Sequence, residues 1–162
     1  MAGSSGFLGS HLRTELERRG HRVTALVRRP ARSASESTWD PDADQVDADL
    51  VASADVVVNL AGSPTLGNPW SRRWAHRLRE SRLRTTGLLA ETIAAAARSG
   101  TPPAFVAGNG VGWYGDHGAA VLTEDADTRG HAFMTAVCRE WQAATSPRPA
   151  PAPGSRSCAP RR

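Results

Sequence analysis

Apolar residues recur at helical spacing directly after a glycine-rich start. Leu8, Leu12 and Leu16 stand four residues apart, which is the period of one face of an α-helix. Two arginines fall in the last turn of this segment, and Gly20 follows where a left-handed cap would end a helix. The spacing therefore predicts an amphipathic first helix that ends at Gly20.

Three apolar runs further along the chain have the character of strands. Residues 22–28 are rich in β-branched side chains, and residues 55–61 form a continuous apolar run of the kind that is buried on both faces of a parallel sheet. The third run covers residues 104–107, after a Pro-Pro break. The polar, proline-containing stretch over 31–49 is predicted to be mostly loop.

Helical segments alternate with these strands. Trp70, Trp74 and Leu78 share one stripe after Pro69, an alanine-rich helix is expected over 85–99, and a last helix over about 131–145. The alternation of strands and helices predicts an α/β fold, namely a Rossmann-type doubly wound parallel sheet.

The glycines before the first helix are the main candidate for chemistry. Gly3, Gly6 and Gly9 stand three apart and open that helix, as in loops that let backbone approach a pyrophosphate at a helix N-terminus. The loop normally follows a strand, and the sequence has no room for one, so the fold is expected to lack its first strand. A disordered Gly/Ser-rich start is the alternative.

Two further positions extend the predicted nucleotide site. Arg28 or Arg29, at the end of the second strand, suits the 2′-phosphate of NADP, where NAD-binding sites carry an acid. Residues 59–62 end the clearest strand with small side chains that allow close approach of a cofactor. NADP is therefore the expected cofactor in preference to NAD.

Charge and composition narrow the classes of function. All 16 acidic residues precede Ser146, and the net charge of +4 comes from four arginines in the tail, so we expect no nucleic-acid surface. The two cysteines suggest neither a disulfide framework nor a metal site, and no signal peptide or membrane-spanning run is visible, which favours a cytoplasmic protein.

We predict one partial dinucleotide-binding domain over 1–145. A disordered Pro/Arg-rich tail is predicted over 146–162, for which a frameshift near Ser146 is one explanation.

Together these motifs resemble the atypical short-chain dehydrogenase/reductases of the NAD-dependent epimerase/dehydratase-like group. The matching segments run in family order over residues 2–145 and are 2–10, 39–41, 57–62, 72–74, 80–82, 111–116, 122–125 and 137–141. The resemblance implies an N-terminal part of a larger fold whose first strand and substrate-binding half are missing. The predicted cofactor contacts are Gly3, Ser5, Gly6, Phe7, Leu8, Gly9, Arg28, Asn59, Leu60, Ala61, Gly62 and Arg82.

The resemblance also implies a Tyr-x-x-x-Lys pair in which tyrosine transfers a proton and lysine lowers its pKa. The sequence has no lysine, and Asn109 stands where the group has a serine. Asn109, Tyr114 and Cys138 are the remaining catalytic candidates, although a buried tyrosine with a satisfied hydroxyl and a buried structural cysteine are the more common arrangements. For Arg82, contact with cofactor or substrate and the alternative of a salt bridge or a solvated side chain remain open.

We therefore expect an NADP(H)-binding oxidoreductase or epimerase-like protein that acts on a small molecule of unknown identity. The alternatives are a non-catalytic dinucleotide-binding or sensing module and an inactive gene fragment.

Overall fold

The computed structural model describes residues 1–98 and 100–147. Within these residues the strands are β1 (Ala25–Val27), β2 (Glu36–Thr38), β3 (Val56–Asn59) and β4 (Ala104–Ala107). The helices are α1 (Phe7–Arg18), α2 (Ala48–Ala52), α3 (Arg72–Ala96) and α4 (Phe133–Ala143), with one 3₁₀ turn over Val111–Trp113.

Two parallel strand pairs are joined through the start of the chain. β1 pairs with β2 and β3 pairs with β4, and Ala2 forms parallel bridges to Leu26 of β1 and to Asn59 of β3. The Ala2 N–H donates to the Val58 carbonyl at 2.8 Å, and the Leu60 N–H donates to the Ala2 carbonyl at 3.0 Å. The structure agrees with the expected incomplete sheet, because the place of the first strand holds only Met1 and the bridge residue Ala2.

The resulting order is β2–β1–(Met1–Ala2)–β3–β4, all parallel, which is the order of a Rossmann sheet. The chain moves outward on one side of Ala2 and then returns to continue on the other side. Because crossover connections are right-handed, this reversal places α1 and α3 on opposite faces of the sheet. The doubly wound α/β fold is confirmed, and its switch point lies between Ala2 and β3.

The core forms where α2 and α3 cover one face of the sheet. Its buried apolar cluster consists of Ala2, Leu26, Trp39, Val51, Val57, Leu88 and Leu89. Two of the predicted helical segments form the single 25-residue helix α3, which begins after the N-cap Ser71 and runs through residue 85 without a break. Trp70 lies before this helix and is 91% exposed, so it does not belong to the predicted stripe.

Other local predictions need correction. The stretch over 31–49 is mostly loop, as predicted, but it also contains β2 and the start of α2, which are too short to give a periodic signal. The predicted end of α1 is confirmed by the left-handed φ of +85° at Gly20, but Leu8 is 66% exposed and does not share a buried face. Most of the predicted tail over 146–162 lies outside the described residues. Within the described part of the chain, the helices are all too short or too polar to span a membrane.

Candidate functional site

A cleft of about 740 Å³ opens at the carboxyl edge of the sheet, beside the switch point. Its walls come from the residues that directly follow Ala2, β1 and β3, together with one side of α1 and α3. The lining residues are Gly3–Gly6, Arg13, Ala25–Arg29, Glu36, Trp39, Leu60–Ser63, Arg77 and Ser81. This is the position in which doubly wound sheets bind their ligands.

The three glycines of the loop have different tasks. Gly3 has a φ of +76°, and a Cβ there would lie 2.6 Å from the Leu60 carbonyl oxygen, so only glycine allows this turn. A Cβ on Gly9 would overlap the Gly3 carbonyl group, so Gly9 lets α1 pack against the loop. A Cβ on Gly6 would meet only the Gly3 oxygen, at 3.4 Å, and Gly6 lines the cleft. Two glycines therefore serve the fold, and Gly6 keeps the cleft open.

The helix α1 begins directly after the cleft residues Gly3–Gly6. Gly6 is the N-cap and has no side chain to bond the first N–H groups, and the first turn contains no acidic residue. Such unsatisfied N–H groups and the positive end of the helix dipole favour an anion. Phe7 and Leu8, the first two helical residues, are largely exposed. Ser5 lines the cleft between the first two glycines.

The two arginines after β1 are held differently. Arg29 makes a bidentate pair with Glu36 at 2.6 and 2.8 Å, and the Arg32 N–H also donates to this carboxylate. These hydrogen bonds, with the one from Arg29 the largest, lower the pKa of Glu36 from 4.5 to about 2. Arg28 is exposed in the cleft and has no hydrogen bond or ion pair within the described residues. Arg28 is therefore the guanidinium that remains available for a ligand.

Asn59 fixes the loop that closes the far side of the cleft. Its side chain is fully buried, and its Nδ2 donates to the Thr86 hydroxyl at 2.9 Å. Its Oδ1 accepts the Ala61 N–H at 3.0 Å. Asn59 does not line the cleft, whereas Leu60, Ala61 and Gly62 do. Asn59 therefore holds the loop over 60–62 in position from the buried side, outside the cleft.

Arg82 lies underneath this loop and outside the cleft lining. It is 7% exposed, its Nη1 donates to the Leu78 carbonyl, and its guanidinium stands 5.1 Å from the ring centre of Trp141. A Cβ on Gly62 would lie 3.5 Å from the Arg82 Cζ. Burial lowers the pKa of Arg82. The alternative of a salt bridge or a solvated side chain is not found, because Arg82 is buried and has no carboxylate partner among the described residues.

The three catalytic candidates lie after β4 and on α4. Asn109 and Tyr114 line a smaller cavity of about 230 Å³, which also contains Glu124 and Gln142. The Asn109 side chain is engaged, since its Nδ2 donates to Gln142 at 3.1 Å and its Oδ1 accepts the Gly110 N–H at 2.8 Å. Tyr114 is half-buried and its hydroxyl has no partner within the described residues, so the expectation of a buried tyrosine with a satisfied hydroxyl is wrong.

Cys138 is the most enclosed of the three. It is 1% exposed on α4, and a Cβ on Gly110 would lie 3.2 Å from its sulfur. Burial raises the pKa of the Cys138 thiol, although the Gly110 N–H and the charge of Arg82 oppose this effect. The predicted burial of Cys138 is confirmed, and the thiol form is favoured at neutral pH.

Several cleft residues were not singled out as cofactor contacts from the sequence. Arg13, Ser63, Arg77 and Ser81 all line the cleft, and of these only Ser81 belongs to a matching segment, 80–82. The helix α3 contains many arginines, and nothing in their spacing distinguishes Arg77 from its exposed neighbours. Arg77 lines the cleft only because of the way α3 packs against the loop after β3.

Comparisons with known proteins agree with this arrangement. The family model described as NAD dependent epimerase/dehydratase family matches residues 1–135. An epimerase family protein of Mycobacterium leprae is 36% identical over 147 residues, which cover 91% of this chain and 46% of that protein. The human epimerase family protein SDR39U1 is 35% identical over 147 residues, covering 89% of this chain and 47% of that protein.

Solved structures give the same result. The crystal structure of human SDR39U1 (isoform 2) with NADPH superposes with a TM-score of 0.73 at 31% identity, covering 91% of this chain and 48% of that one. A nucleoside-diphosphate sugar epimerase from Corynebacterium glutamicum gives a TM-score of 0.69 at 34% identity, covering 89% and 29%. The chain belongs to the NAD dependent epimerase/dehydratase family. It spans about half the length of the curated relatives it matches.

Proposed function

We propose that this chain binds a nicotinamide dinucleotide in the cleft, NADP(H) in preference to NAD(H), as part of an oxidoreductase or epimerase-like protein. The single observation that carries the proposal is the division of labour among the glycines. Gly3 and Gly9 are required by the backbone itself, whereas Gly6 leaves open space in front of the α1 N-terminus. That open space suits the close approach of a pyrophosphate.

Different parts of the cleft lining would hold different parts of the dinucleotide. Backbone groups of Gly3–Gly6 and the first turn of α1 would hold the phosphates, and Arg28 would hold a 2′-phosphate. The loop over 60–62 would pass beneath the nicotinamide half, supported by Asn59. A bound nicotinamide would supply hydride transfer. The NADPH in the human SDR39U1 structure supports the choice of NADP(H).

Tyr114 is the best remaining proton donor, because it lines the smaller cavity after β4 and its hydroxyl has no hydrogen-bond partner within the described residues. The sequence contains no lysine that could pair with it. Asn109 and Cys138 are poorer candidates, since the first is held by Gln142 and the second is buried as a thiol. The substrate is a small molecule of unidentified class.

A non-catalytic dinucleotide-binding module is the second candidate. It is favoured by the lack of lysine and by the engaged side chain of Asn109. Both candidates require cofactor binding, which a fluorescence titration of the purified chain with NADPH tests directly. Saturable binding that Gly6→Ala removes supports the proposal, and a wild-type chain that does not bind NADPH contradicts it.

A further inference from the structure

The charges of the cleft do not cancel. Its lining contains one acidic residue, Glu36, and four arginines, which are Arg13, Arg28, Arg29 and Arg77. Two of the arginines are paired with carboxylates, Arg13 with Glu17 at 2.7 Å and Arg29 with Glu36 at 2.6 Å. Arg28 and Arg77 have no hydrogen bond or ion pair within the described residues. Two cleft cations are thus left without a counter-charge.

Arg28 and Arg77 reach the cleft from two different elements. Arg28 directly follows β1, whereas Arg77 is on α3, next to the loop that follows β3. Ser81 lies one helical turn after Arg77 and faces the same cleft. The Ser81 Oγ accepts the Ser63 N–H at 3.0 Å, and this bond ties α3 to the loop beside Arg77. The strand order places the glycine loop, which follows Ala2, between the end of β1, where Arg28 stands, and the loop after β3, to which Ser81 ties α3.

Other exposed arginines of α3 provide a contrast. Arg72 and Arg73 occupy the first turn, are exposed, and do not line the cleft. Arg84 is exposed as well, but it pairs with Glu80 at 3.2 Å. Solvation alone accounts for Arg72 and Arg73, whereas Arg77 contributes its charge to a concave surface that already carries an excess of positive charge.

We propose that Arg77 binds the pyrophosphate of the dinucleotide from the side opposite the glycine loop. This inference rests on the proposed function. The backbone N–H groups of Gly3–Gly6 and α1 would contact the pyrophosphate from one side, and the Arg77 guanidinium would neutralise it from the other. Arg77 thereby holds a group that NADH and NADPH share, whereas Arg28 holds the group that distinguishes them.

The test is an equilibrium titration of the full chain with NADPH and with NADH. Arg77→Ala should weaken both cofactors by the same factor, about tenfold, which is the usual effect of losing one charge-assisted hydrogen bond. Arg28→Ala should weaken NADPH alone. Arg73→Ala, which removes a neighbouring exposed cation outside the cleft, should change neither affinity. Arg77→Lys should retain part of the binding because it keeps the charge but not the planar fork.

The outcomes separate this inference from the proposed function. If the wild-type chain binds cofactor and Arg77→Ala binds both cofactors equally well, Arg77 is a solvated surface residue and the inference is wrong. A loss of affinity confined to NADPH would indicate that Arg77 contacts the 2′-phosphate, which also contradicts the inference. If the wild-type chain binds neither cofactor, the proposed function fails first, and the inference fails with it. Thermal melts of each variant establish that folding is unchanged.

Discussion

The backbone of Gly9 rests directly on the carbonyl group of Gly3. A Cβ at residue 9 would overlap the Gly3 oxygen and would lie 2.8 Å from the Gly3 carbonyl carbon. We predict that Gly9→Ala destabilises the chain by about 3 kcal/mol, because neither partner is a side chain that can move aside. Denaturant unfolding of Gly9→Ala against wild type measures this loss. An unchanged midpoint would show that the loop and α1 can separate without cost.

Gly6 gives the opposite expectation for the same loop. Its φ of −76° is accessible to any residue, and an added Cβ has ordinary room beside the Gly3 oxygen. Gly6→Ala should therefore change the free energy of unfolding by less than about 1 kcal/mol. Cofactor affinity should fall by at least about tenfold, because the methyl group occupies the place of the approaching phosphate. Unchanged cofactor affinity in a folded Gly6→Ala variant would remove the main support for the proposal that the cleft binds the cofactor.

Charge reversal at Arg28 tests the choice between the two cofactors. Arg28→Glu should weaken NADPH by at least about tenfold, because a carboxylate would face the 2′-phosphate. Binding of NADH should be unchanged or improved, since a carboxylate can accept a hydrogen bond from the ribose hydroxyl. Arg22→Glu is the matched control, as Arg22 is exposed and outside the cleft. An equal loss of affinity for NADPH and NADH would show that Arg28 does not distinguish the 2′-phosphate from the 2′-hydroxyl.

Glu36 makes part of the stability depend on pH. Its hydrogen bonds from Arg29 and from the Arg32 N–H lower its pKa from 4.5 to about 2 in the folded chain. The stabilisation is therefore present above pH 4.5 and is lost as the pH falls toward about 2. The melting temperature of wild type should decrease across this range more than that of Glu36→Gln, which has no carboxyl group to titrate. Parallel pH profiles for the two proteins would contradict this assignment.

The link through Thr86 predicts a longer-range effect on the cleft. Asn59 Nδ2 and Trp141 Nε1 both donate to the Thr86 hydroxyl at 2.9 Å. Asn59→Ala should cost about 1–3 kcal/mol, because it leaves buried polar groups unpaired, and should also weaken cofactor binding by releasing the Ala61 N–H. Thr86→Val is the comparison, since it breaks the link but leaves the bond to Ala61 in place. Equal effects of the two variants on cofactor affinity would show that the Ala61 bond does not position the loop.

Much of the fold could be predicted because its signals are local. The strand at 104–107 and the end of α1 at Gly20 follow from apolar runs and helix-ending residues. β2 could not be predicted, because three polar residues form a strand only through parallel pairing with β1. The place of Met1 and Ala2 in the sheet was also missed, because two residues have no periodicity and their bridges to Leu26 and Asn59 depend on the whole sheet.

The site divides in the same way. The glycine loop could be predicted because the spacing of Gly3, Gly6 and Gly9 directly before a helix is a signal within ten residues of sequence. The difference between Arg28 and Arg29 was not visible, since it depends on the position of Glu36 after the chain has folded back. The burial of Arg82 against Trp141 and the exposure of Arg77 to the cleft likewise arise from packing between elements that are far apart in sequence.

The most direct test of the account is a thermal melt of the purified chain alone, with NADPH and with NADH. A ligand that binds only the folded state raises the melting temperature, and a saturating excess of about a hundred times the dissociation constant adds about 2.7 kcal/mol to the free energy of unfolding. We predict a cooperative melt that NADPH shifts upward more than NADH does. A cooperative melt that neither cofactor moves would contradict the proposed cofactor cleft.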